Sequence, residues 1–110
     1  MIKIKNNAIE MTRSDSLVAT VEITKDGEIY TPVQGDYIRF AMSKSYKSER
    51  KYVLLLSKEI PYDTLVLELL PEDTNELDYG TYNYDIEITY DDGRVDTFIS
   101  STITLTKEVE

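Results

Sequence analysis

The ten residues Thr81 to Tyr90, TYNYDIEITY, alternate without a break. Tyr82, Tyr84, Ile86, Ile88 and Tyr90 fall on one side of an extended backbone, and Thr81, Asn83, Asp85, Glu87 and Thr89 on the other. A strict period of two describes a strand with one buried and one wet face. Such a strand cannot stand alone: its N–H and C=O groups need neighbours and its apolar face needs a cover. The rest of the chain must therefore supply a sheet and a second layer.

Upstream, Leu65, Leu67 and Leu69 alternate in the same way, and Leu70-Pro71 ends the run. Pro71, Glu72 and Asp73 read as a first helical turn, because proline has no N–H to leave unpaired there and acids suit the positive end of the helix dipole. The spacing predicts one short helical turn near 71–77, with Gly80 releasing the chain into the alternating strand.

Further strands are expected on the same logic. Ile2 and Ile4 alternate with Lys3 and Lys5, Asn6-Asn7 marks a turn, and Ala8 to Thr12 places Ile9 and Met11 on one face. Leu17 to Thr24 reads as one long strand. Asp26-Gly27 closes a hairpin, since both positions tolerate positive φ, and Ile29-Tyr30 begins the return. Gly35 pivots the loop of 32–36. Tyr37 to Ser43 puts Ile38, Phe40 and Met42 inward. The stretch 44–51, KSYKSERK, has no apolar period and is expected to be an exposed connection. Tyr52 to Leu56, nearly all apolar, reads as a central strand buried on both faces, and 58–63 as a turn around Pro61. Asp92-Gly93 makes a second hairpin. From Val95 to Thr106 the last strand is expected to carry Val95, Thr97, Ile99, Ser101, Ile103 and Leu105 on one face and Phe98 on the other.

Together these predict an all-β chain: a two-sheet antiparallel β-sandwich of about eight strands. One domain is expected over 1–110, with its core at about 2–106 and a frayed tail at 107–110. The N-terminus lacks the apolar stretch of a signal peptide.

A formal charge of −9 disfavours nucleic acid and anionic membrane surfaces as partners. The charge is segregated along the chain. Residues 1–55 hold nine Lys/Arg and seven Asp/Glu, and residues 56–110 hold three and fourteen. Either the folded sandwich evens this out, or a basic patch meets an acidic one on a neighbouring copy or partner.

The side chains offer little chemistry. The chain has no histidine and no cysteine, which removes the usual neutral-pH acid–base, the thiolate nucleophile and thiolate metal sites. Ser45-Tyr46-Lys47 sits in a polar stretch where the lysine stays protonated. Asp85 and Glu87 share a face about 7 Å apart, a spacing that a glycosidase pair could use, but these are also the wet positions of an alternating strand. Two acidic groups, Asp91, Asp92 and Asp96, and Glu72, Asp73, Glu76 and Asp78, carry the oxygen donors calcium takes, without EF-hand spacing. Tyr82 and Tyr84 could line a ligand groove or fill the core with their hydroxyls at its rim. The residues predict no catalytic, cofactor or metal site.

Several segments carry a resemblance. Thr12-Arg13-Ser14-Asp15-Ser16 precedes a long strand, and Asp26-Gly27 and Asp92-Gly93 make hairpins. Leu70-Pro71-Glu72-Asp73-Thr74 is followed by Gly80-Thr81-Tyr82-Asn83-Tyr84-Asp85-Ile86. From about Ile9 to Thr106 the chain resembles the small immunoglobulin-like β-sandwich domain of phage tail and baseplate proteins, in particular the N-terminal domain of baseplate upper proteins. Ser14 departs from the family, which often has glycine there. The resemblance implies a non-catalytic virion structural protein, made in the bacterial cytoplasm. As an assembly module of the tail or baseplate it would dock a fibre or receptor-binding protein. Expected partners are other tail or baseplate proteins and a possible homo-oligomer. An extracellular carbohydrate- or calcium-binding accessory module is the alternative that the residues leave open.

Overall fold

The computed structural model describes residues 3–5, 7–46 and 51–107. The expected positions Ile2 and Asn6, the centre of the basic stretch at 47–50 and the tail at 108–110 lie outside the described residues.

Among the described residues ten strands and one helical turn follow in chain order: β1 (Lys3–Lys5), β2 (Ala8–Thr12), β3 (Leu17–Thr20), β4 (Ile23–Lys25), β5 (Glu28–Tyr30), β6 (Tyr37–Tyr46), β7 (Lys51–Ile60), β8 (Val66–Leu69), α1 (Pro71–Thr74), β9 (Gly80–Thr89) and β10 (Val95–Thr106). One layer is a six-stranded sheet in the order β1-β2-β10-β9-β6-β7. The other layer consists of two two-stranded pieces, β3-β8 and β4-β5. The all-β, two-layer expectation therefore holds, with about two strands more than anticipated.

The alternating strand β9 lies between β10 and β6, antiparallel to both. Tyr82, Tyr84, Ile86, Ile88 and Tyr90 are all buried, as the alternation predicts. Ile38, Phe40 and Met42 of β6 stand beside them with no exposure, and Ile9, Met11, Ile103 and Leu105 continue the same inner face. Leu17, Val21, Ile23, Leu67 and Leu69 close the core from the second layer. Burial of side chains this size is worth roughly 1.5–3 kcal/mol each before chain entropy is counted.

Several expectations are corrected. The sheets are not purely antiparallel: β2 runs parallel to β10, with Ile9 opposite Ile103 and Thr12 opposite Thr106. The stretch at 44–51 is not simply a loop, because β6 continues to Tyr46 and β7 begins at Lys51. The apolar run Tyr52 to Leu56 is not central. It belongs to β7, the last strand of the sheet, and Leu54 is 57% exposed there. Residues 58–60 extend that strand, so the turn starts at Pro61. The helical turn ends at Thr74 rather than 77.

Leu17 to Thr24 is two strands. At the break the N–H of Val21 donates to the carbonyl of Leu65, 2.8 Å away, and the chain passes from pairing with β8 to pairing with β5. Leu65 itself, expected to begin the next strand, holds a positive φ of 55° just before β8.

A register shift between Thr97 and Ile99 corrects the last strand. A bulge adds one residue to one side of a pair, so the parity of everything before it reverses. Val95 and Thr97 thus face outward, while Phe98 and Ile99 both pack against the core.

Phe40 is the largest of the fully buried side chains and contacts Tyr84 ring to ring, with centroids 5.3 Å apart. Phe40→Ala is expected to lower the unfolding free energy by about 3–5 kcal/mol, measured by denaturant titration. Val18→Ala, at a 65% exposed position of β3, should change it by less than about 0.5 kcal/mol.

Candidate functional site

Both sides of the six-stranded sheet end in backbone that, among the described residues, has no strand beside it. β7 is the terminal strand on one side, paired with β6 alone, and the short β1 is the terminal strand on the other. β10 has β9 on one side along its length, but β2 covers its other side only from Ile103 to Thr106. Val95 to Thr102 therefore present an open edge. Unpaired N–H and C=O groups in a row are a template for another extended chain.

A groove of about 380 Å³ opens between the two layers on the β10 side. Phe98, Ile99 and Ile86 line its upper wall, and Ala19, Val21 and Leu67 its lower wall. Glu22 is the charged side chain lining it. The bulge makes this wall, since it turns two consecutive apolar residues inward at one place. Tyr84 reaches the groove as well, and its hydroxyl donates to the carbonyl of Asn7. Burial raises the pKa of that phenol, which keeps it a donor.

Two polar knots hold the lower layer in place. At one end the Tyr30 hydroxyl donates to Asp36 Oδ2 at 2.6 Å, and the Val33 N–H donates to the same oxygen at 3.0 Å. The Tyr30 ring meets Tyr90 edge-on with centroids 5.5 Å apart, and Lys25 Nζ sits 4.4 Å from the Tyr90 centroid. This knot ties the β4–β5 hairpin to the end of β9. Gly35 is required beside it: its φ is 105°, and a Cβ there would stand 3.0 Å from that of Asp91.

At the other end the fully buried Thr74 accepts the N–H of Ser14 at 2.9 Å. Ser14 holds a φ of 69°, in the left-handed region that favours glycine. Arg13 donates to the Leu77 carbonyl and to the Tyr79 hydroxyl, with its guanidinium 4.3 Å from the Tyr79 centroid. Lys58 pairs with Asp73 at 2.8 Å, joining β7 to α1. The sequence reading missed both knots, whose members lie far apart in the chain or in loops. Only Tyr30 and Asp36, six residues apart around a Gly loop, left a local signal.

The acidic candidates are not brought together. Asp85 accepts from Ser100 Oγ at 2.8 Å, while Glu87 pairs with Arg39 at 3.1 Å, so each carboxylate has its own partner on the outer face. Asp92 is turned back onto Arg94, which holds its pKa below the usual carboxylate value, chiefly through the Arg94 N–H. Asp96 faces the Tyr90 hydroxyl, and Asp91 is exposed. Asp73 accepts the N–H of Leu70 at 2.7 Å, and Glu72, Glu76 and Asp78 point to solvent. Among the described residues, no group of three or more such side chains could hold a metal ion. Tyr82 and Tyr84 are core residues with their hydroxyls satisfied by backbone carbonyls, those of Asp78 and Asn7. Lys47 lies outside the described residues. No family model and no curated protein matches the chain.

The Tyr30–Asp36 bond gives the fold a pH dependence at both extremes. The bond to Asp36, followed by burial, pushes the Tyr30 phenol from 10.0 up to about 12. A raised phenol pKa stabilises below the unfolded value and loses that contribution as pH climbs from about 10 to about 12. Burial works against the charge on Asp36. The bonds from Tyr30 and Val33, with the Asp91 backbone and Lys25, outweigh it and lower the pKa below 3.8. That contribution is present above 3.8 and lost as pH falls below it. Tyr30→Phe is expected to cost about 1.5–3 kcal/mol at neutral pH, the range for a bond to a charged group. It should also flatten the alkaline limb of a plot of melting temperature against pH.

Proposed function

We propose that the chain is a non-catalytic assembly module of a phage or prophage tail or baseplate, of immunoglobulin-like type, which docks a fibre or receptor-binding protein. The observation that carries this reading is the open edge of β10 beside the interlayer groove. An extended segment of a partner could add to the sheet through its backbone while placing an apolar side chain against Phe98 and Ile99. A two-layer β fold in which β2 runs parallel to the last strand, β10, supports the immunoglobulin-like assignment. The segments quoted above for the resemblance support the tail or baseplate assignment.

Work of this kind needs a stiff body with exposed templates, and the two polar knots supply the stiffness. The acidic half of the chain adds a charge preference for basic partners. The test is the particle itself. Particles purified after prophage induction of the strain that encodes the chain should contain it at a fixed ratio to the other tail proteins, by quantitative mass spectrometry. Particles that lack it, with the chain left in the soluble fraction, would overturn the proposal.

A further inference from the structure

The two open edges match each other. On the outer face of the six-stranded sheet β6 and β9 show Arg39, Ala41, Ser43, Asn83, Asp85 and Glu87, small or polar throughout their middles. The exposed aliphatics of this face stand on the open edges: Leu54 on β7, 57% exposed, and Val95 on β10, 59% exposed. The inner side repeats the pattern. Leu55 and Leu56 of β7, and Phe98 and Ile99 of β10, are only partly buried against the core. An edge strand that is apolar on both faces is what a protein avoids unless something lies beside it. The open segment of β10 spans eight residues, Val95 to Thr102, and β7 has ten, so one can cover the other.

We infer that β7 of one copy adds to the open edge of β10 in a second copy, continuing the six-stranded sheet from molecule to molecule. Leu54 of one copy and Val95 of the next then share the outer face of the seam, and Leu55 and Leu56 approach Phe98 and Ile99 on the inner side. The contact is head-to-tail, because it uses two different surfaces, and an array of copies keeps one unused edge of the seam at each of its ends. Bulges at Leu55 and Phe98 interrupt both edges, so the pairing is short and reversible. The inference goes beyond the docking role proposed for the β10 edge: a second copy takes that edge within an array, and the copy at the array's end keeps it open for the fibre or receptor-binding protein. A chain that self-pairs yet is missing from particles would keep the seam and lose the tail function.

Sedimentation velocity over a wide concentration range tests it. The wild-type chain should rise from its monomer mass of 12.7 kDa to above twice that value. Leu54→Lys and Val95→Lys should each stay monomeric with unchanged melting temperature, since both positions are exposed in the single copy. An equimolar mixture of the two variants should form a one-to-one dimer and nothing larger, because each copy still holds one intact half of the seam. A wild-type chain that stays monomeric overturns the inference. Association that survives Val95→Lys overturns it too, as it would place the contact on β7 alone or on another surface. A mixture that remains monomeric excludes the head-to-tail arrangement.

Discussion

The structure depends on one constraint: β9, with Tyr90 just past its end, must bury five alternating inward side chains, three of them tyrosines, against a second layer made of four short strands. Tyrosine can meet that constraint at a rim, because its ring fills the core while its hydroxyl seeks a polar partner. Tyr82 and Tyr84 find backbone carbonyls, and Tyr90 lies beside Asp96. The loops and strand ends that supply these partners are thereby fixed. Around β9 the neighbours β6 and β10 repeat the inward pattern, and the core follows.

The second layer is smaller than the sheet it covers. Its two pieces divide where the chain passes from β3 to β4, and the Val21–Leu65 bond holds that division closed from one side. The Tyr30–Asp36 and Ser14–Thr74 contacts then anchor the two ends. What remains uncovered lies along the flank, where the bulge at Phe98 fills part of the space that a longer strand would occupy elsewhere. The groove is thus a consequence of layer size, and the open edge of β10 follows from the shortness of β2.

The elements with the cleanest alternation were legible in the sequence. β9, the inward face of β6 and both Asp-Gly hairpins are set by residues close in the chain, and local chemistry decides them. The bulge at Phe98 was not legible, because Thr-Phe-Ile-Ser keeps a plausible alternation across it and only pairing with β9 shows the extra residue. The run Tyr52 to Leu56 misled for a related reason: apolarity reports burial in general but not whether a strand lies on both sides. The division of Leu17 to Thr24 depends on Leu65, more than forty residues away. Of the candidate site, Phe98 and Ile99 were noticed as residues and assigned to opposite faces. The open edges are a property of strand order, which no local window contains.

The parallel pairing of β2 with β10 joins residues 9–12 to residues 103–106. Contacts so distant in sequence close a large loop before any of their bonds form, and chains rich in them fold slowly. During synthesis β2 has no β10 to pair with until residues 103–106 have left the ribosome. The nascent chain must therefore carry the apolar faces of β2, β6 and β7 without their final sheet. Chaperone demand and the risk of mispairing are concentrated in that interval, before β10 arrives to close the sheet.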